Sequence, residues 1–184
     1  DLSWSYEQCF PVVHAVPLTP TLDLDADAMI DRLEDLRRRD PAWPKRGAVA
    51  LNNPHKATGR LFSEDALHRL IIYCLEHDIY LIDDLAYQNV AAVDDLPEIR
   101  TVRQTVSDLI RLGLVADSKA DLVLTVHSMS KTDCLAGARL AVVEIRERAL
   151  RERFEAINAH IQPNIAAVLI CYLFYRGSTH AARI

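Results

Sequence analysis

The sequence predicts an α/β domain with a mostly parallel sheet in three layers, helices covering both faces, and three observations carry that prediction. Short β-branched apolar runs alternate with amphipathic helical segments along the 184 residues. Several of those runs are continuous in apolarity, as strands are when both faces of a sheet are covered. Half of the residues are hydrophobic, enough for one sizeable core and not for two domains of usual size.

The elements follow in order. CFPVVHAVPL (9–18) is β-branched, apolar and closed by proline, and predicts a strand. LDADAMIDRLEDLRRR (24–39) places Met29, Ile30, Leu33 and Leu36 on one helical face and stops before Asp40-Pro41. RGAVALNNP (46–54) predicts a strand that breaks at Asn-Pro. Ser63 then caps a helix with Glu64 and Asp65 in its first turn and Leu67, Leu70, Ile71, Cys74 and Leu75 along one face. IYLIDD (79–84), DLVLTVHSMS (121–130) and RLAVVEI (139–145) predict three more strands. Two helices close the chain, one with Leu150, Phe154, Ile157 and Ile161 on one face, the other apolar nearly all round from about Pro163 to Tyr175.

Charge and composition exclude several classes. A net charge of −5 and a pI near 5.8 give no basic footprint, so nucleic acid is not an expected partner. Cys9, Cys74, Cys134 and Cys171 lie far apart in no zinc or disulfide spacing, which fits a reducing, cytoplasmic setting and no metal site. The longest apolar run, Ile165 to Tyr175, falls short of the roughly 20 residues a membrane span needs. Residues 1–10 hold two acids and no basic residue, unlike a secretory signal. With 5 glycines, where average usage of about 7% would give about a dozen, no glycine-rich phosphate loop is visible.

Ligands of open α/β sheets bind at the carboxyl ends of the strands, and three predicted strand ends carry polar clusters: NNPHKATGR (52–60), DDLAYQN (83–89) and HSMSK (127–131), with Arg139 eight residues after Lys131. Lysine, aspartate, tyrosine, serine and arginine together suit a pyridoxal phosphate site. A lysine amine forms a Schiff base with the aldehyde, and a carboxylate keeps the pyridine nitrogen protonated. Arginine and serine grip the phosphate, and a tyrosine hydroxyl can donate to the ring oxygen.

In these motifs the chain resembles the large domain of the fold-type I pyridoxal phosphate enzymes, in particular the class I/II aminotransferases. The motifs read Asn53-Pro54-His55-Lys56-Ala57-Thr58-Gly59, Asp84-Leu85-Ala86-Tyr87 and Ser128-Met129-Ser130-Lys131, then Arg139. The resemblance implies Lys131 as the Schiff-base lysine and proton shuttle, Asp84 as the partner of the pyridine nitrogen and Tyr87 on the ring oxygen. It implies Ser128, Arg139 and Ser130 on the phosphate, and Asn53 and Lys56 in the turn beside the ring. Lys56 stands where the family has its second asparagine and Ala57 where it has a proline. A stacking aromatic, Trp4 or Tyr6, is expected upstream of the first strand. The implied activity is transfer of an amino group between an amino acid and a 2-oxo acid, by a homodimer; a lyase, decarboxylase or oxidase reaction, or a non-catalytic fragment, is the alternative. The expected extent is a partial large domain over 1–184, beginning at Asp1, without the family's N-terminal phosphate loop and small C-terminal domain.

Each residue also has a plainer reading. Asp83 reads as structural, His127 as a packed strand residue and His55 as a turn residue, while for Lys56 a solvated side chain weighs as much as a cofactor contact. SMSK is also a Ser-x-x-Lys of the kind found in β-lactamases, but no Ser-Asp-Asn accompanies it and the only Lys-Thr is followed by Asp133, not glycine.

Overall fold

The computed structural model describes residues 12–45, 47–88, 90, 100–160 and 163–177. Four strands, β1 (Ala48–Asn52), β2 (Tyr80–Asp84), β3 (Val123–Ser128) and β4 (Ala141–Ile145), form one sheet in that order. β1, β2 and β3 run parallel, and β4 returns antiparallel to β3. The helices are α1 (Ala26–Arg39), α2 (Glu64–Glu76), α3 (Val102–Arg111), the single turn α4 (Met129–Thr132), α5 (Arg148–Asn158) and α6 (Ile165–Gly177). α2 carries the chain from β1 to β2, and α3 carries it from β2 to β3.

The helices form where side chains satisfy their first amides. Asp25 accepts from the Ala28 amide at 2.9 Å at the start of α1, which ends in Arg37, Arg38 and Arg39, cations placed against the negative end of the helix dipole. Ser63 caps α2 as its sequence predicts. α3 has a full capping box, in which Thr101 Oγ1 accepts from the Gln104 amide at 3.0 Å and the Gln104 side chain accepts from the Thr101 amide at 2.8 Å. α3 was not expected from the sequence, although Val102, Val106 and Leu109 are buried on one face with Ile110 half-buried beside them.

All three of these helices cover one face of the sheet. Val49, Leu51, Leu81 and Val123 share a single buried cluster with Leu33 of α1, Leu70, Ile71 and Leu75 of α2, and Val106 and Leu109 of α3. Because side chains alternate along a strand, the other face carries Ala48, Ala50, Ile82, Leu124, Val126 and Val143. All six are exposed or half-buried. Among the described residues only the edge of that face is occupied, where α5 packs along β4 and Ile145 is buried.

The run 9–18 departs from its prediction. Residues 9–11 lie outside the described residues, and 12–18 form no strand. Apolar β-branched content does not make a strand without a ladder partner, and the segment pairs with neither sheet edge; Pro17 also lacks an amide to donate. Of the face predicted for α5, Leu150 is half-buried while Phe154 and Ile157 are exposed, and Ile161 lies outside the described residues. Among the described residues α6 buries Ala167 and Cys171 and leaves Ile165, Leu169, Ile170 and Leu173 exposed. Among the described residues no helix is long and apolar enough to cross a membrane.

Candidate active site

The carboxyl ends of β1, β2 and β3 lie side by side. Asn52 pairs in register with Asp84, and Asp84 with Val126. Alternation therefore puts Asn52, Asp84 and, two residues beyond Val126, Ser128 on the face that α1, α2 and α3 leave open. The β3–β4 connection brings Lys131 and Arg139 to the same end of the sheet.

Two neighbouring aspartates separate here. Asp83 points to the covered face, is 1% exposed, and accepts from the Val102 amide at 2.8 Å, holding the start of α3. Burial pushes its carboxyl up to about 6, against the pull of the Val102 and Arg103 amides and the Arg103 guanidinium. Asp84 points to the open face and is half-buried. Burial raises its carboxyl above the ordinary range, while the Ala86 amide and the Lys56 ammonium draw it back. Its Oδ1 accepts from the Ala86 amide at 3.0 Å, and among the described residues no donor reaches Oδ2.

The turn after β1 is tied to this strand end by Asn52, a residue that motif reasoning passed over. Its Nδ2 donates to the Asp84 carbonyl at 3.1 Å and its Oδ1 accepts from the Lys56 amide at 2.8 Å. The doubled asparagine before proline was the available signal. Asn53 is buried, with its Oδ1 accepting from the Phe62 amide at 2.9 Å, so that acceptor is occupied within the turn. His55 is a turn residue, hydrogen-bonded to Thr58 at 3.0 Å. Gly59 takes a φ of +67°, which glycine adopts without strain.

Ser128 caps α4, its Oγ accepting from the Ser130 amide at 3.3 Å, which leaves its hydroxyl proton for another acceptor. Ser128 and Ser130 are half-buried, while Lys131 and Arg139 are exposed. The loop between them is tightly folded: the Leu135 amide donates to the Met129 carbonyl at 3.0 Å, and Cys134 and Arg139 take positive φ values of 57° and 53°. Tyr87 sits half-buried in the turn after β2. His127 is exposed rather than packed, because its face of β3 is uncovered at that level. Trp4 and Tyr6 lie outside the described residues.

The fold, an α/β domain with a mostly parallel sheet, is that of the fold-type I pyridoxal phosphate enzymes. The chain belongs to the aminotransferase class I and II family, whose model matches residues 8–180. It is 27% identical over 180 residues to the probable aminotransferase tcpI of Claviceps purpurea (strain 20.1), covering 86% of this chain and 41% of that protein. It is 30% identical over 146 residues to the cystathionine beta-lyase PatB of Bacillus subtilis (strain 168), covering 74% and 32%. The chain thus spans well under half the length of these curated relatives. Among solved structures, aspartate aminotransferase from Thermus thermophilus with maleate superposes with a TM-score of 0.63 at 18% identity, covering 85% of this chain and 35% of that one. The PLP-bound C-S lyase from Staphylococcus hominis gives 0.54 at 22% identity, covering 73% and 30%. These two likenesses show a shared fold.

Pyridoxal phosphate is the cofactor of this family. The residues present fit it: a half-buried carboxylate with one oxygen unreached by a donor, an amine, a guanidinium and a hydroxyl with a proton to give all stand at one end of the sheet.

Proposed function

We propose that this chain is the cofactor-binding portion, a partial large domain over 1–184, of an aminotransferase that moves an amino group between an amino acid and a 2-oxo acid. The observation that supports this reading best is the gathering of Asp84, Ser128, Lys131 and Arg139 at the carboxyl end of a parallel sheet, in the order of the family motifs.

When bound, the cofactor supplies a carbonyl and an electron-withdrawing ring that makes the proton on a substrate's Cα removable. Lys131 holds the cofactor covalently through its amine. The same amine would take the proton from a substrate Cα as a general base. Asp84 offers its free Oδ2 to the protonated ring nitrogen, and its half-buried setting strengthens that contact relative to one in water. Arg139 and Ser128 hold the phosphate by charge-assisted hydrogen bonds, with Ser130 beside them. Tyr87 donates to the ring oxygen, and Asn53 shapes the turn that carries Lys56.

A second reading, elimination rather than transfer, is favoured by the 30% identity to a cystathionine beta-lyase. Both use the same residues at Cα. Product analysis separates them: transamination requires a 2-oxo acid acceptor, whereas elimination releases ammonia without one. The test of the site is a visible spectrum after loading with pyridoxal phosphate, then borohydride reduction and peptide mapping. An adduct on Lys131 is expected; a colourless protein or an adduct elsewhere overturns the assignment. The exposed apolar side chains of α6 suit a subunit contact, and sedimentation is expected to show a homodimer.

A further inference from the structure

Lys56 is a residue by which this chain departs from the family turn, and the structure ties its backbone to the end of β2. Its backbone is fixed one side chain away from Asp84, because Asn52 accepts from the Lys56 amide with Oδ1 and donates to the Asp84 carbonyl with Nδ2. The turn that presents it is closed on itself: the Gly59 amide donates to the His55 carbonyl at 2.8 Å and the His55 amide to the Arg60 carbonyl at 2.9 Å. The lysine side chain is exposed, and the half-buried Asp84 carboxylate keeps its Oδ2 unreached by other donors among the described residues. The residues flanking Asp84 in register, Asn52 and Val126, carry no charge. Asp83 points to the opposite face and is engaged with the start of α3.

We propose that Lys56 is the electrostatic partner of Asp84, a positioning residue whose ammonium keeps that carboxylate ionised and tempers its hold on a cationic group bound against it. The Lys56 contribution to the Asp84 carboxyl, opposing the burial that raises it, agrees with this arrangement. The pair belongs to the chain itself. Its consequence rests on the cofactor reading: a carboxylate shared between Lys56 and a ring N–H is a weaker base toward that ring, so the ring proton is held less firmly than an uncharged turn residue would allow.

The test is a carbon-13 carboxyl titration of the cofactor-free chain by NMR, with the Asp84 signal assigned through Asp84→Asn. Lys56→Met is expected to raise the Asp84 midpoint, and Lys56→Arg to leave it near the unmodified value. The difference between the Met variant and the unmodified chain should shrink as salt is raised, because charge acting through solvent is screened over about 10 Å at 0.1 M ionic strength. An unmoved midpoint in Lys56→Met, or a shift that Lys56→Arg also produces, overturns the pair. Borohydride mapping of the loaded protein is read separately, so an adduct missing from Lys131 refutes the cofactor assignment while the titration alone decides the pair.

Discussion

The two faces of the sheet differ more than any other two regions of the molecule. One is closed by α1, α2 and α3 over a continuous apolar cluster, and its polar residue at the strand end, Asp83, is bound into that packing. The other is open among the described residues, and its strand-end acid, Asp84, has an oxygen that no donor among them reaches. Consecutive residues on one strand thus have opposite tasks. The carboxylate on the packed side is held by the start of a helix, whereas the one on the open side is held by a single turn amide.

That contrast can be broken or sharpened by substitution. The largest effect is expected from Lys131→Ala at the open end. It should abolish the borohydride-stable adduct and lower any turnover by at least the roughly 10²- to 10⁴-fold attributed to a general base, with an unchanged circular dichroism spectrum because the side chain is exposed. On the closed face, Leu70→Ala is expected to cost about 2–5 kcal/mol of unfolding free energy by denaturant titration, since the side chain is 0% exposed and its removal leaves a cavity. Asp83→Ala should cost about 1–3 kcal/mol, because the first amides of α3 lose their buried acceptor. Val126→Ala, half-buried on the open face, should cost about 1 kcal/mol or less. A loss from Val126→Ala equal to that from Leu70→Ala would show that the two faces are equally packed.

Asp83 also predicts a pH dependence. Its folded carboxyl stands at about 6, above the ordinary 3.8, so the folded chain holds this proton where the unfolded chain has released it. The stabilisation is full below about 3.8 and is lost as pH rises through about 6. Stability should therefore decline across that window, and Asp83→Asn, which keeps an acceptor for the Val102 amide but does not titrate, should flatten the decline in a series of melting curves.

How much of this was legible beforehand varied with the physics involved. α1 and α2 were readable because a capping residue and a full apolar face stand together in sequence, as in Ser63 with Leu67, Leu70, Ile71, Cys74 and Leu75. α3 was not read, although Val102, Val106, Leu109 and Ile110 recur at helical spacing behind the capping Thr101; its start is also held by Asp83, which lies on another element where no local pattern shows it. Residues 12–18 failed in the other direction: they have strand composition and no strand to pair with. At the strand ends, Asp84, Ser128, Lys131 and Arg139 were singled out by their place after predicted strands and by the family resemblance, while Asn52 was passed over because it joins two strand ends that are 32 residues apart in sequence.

By itself the sequence determined the chemical inventory and its order: which amine, carboxylate, hydroxyl and guanidinium follow which strand, and that the strands are separated by helices. Those are local properties, set by period, caps and turns. Only the tertiary structure decided which face each strand end takes, that Asp83 belongs to the core and Asp84 to the open side, and that Asn52 ties the Lys56 backbone to that of Asp84. Side-chain direction alternates along a strand with no memory of which face will be covered, and that is settled only when the helices choose the side on which they pack.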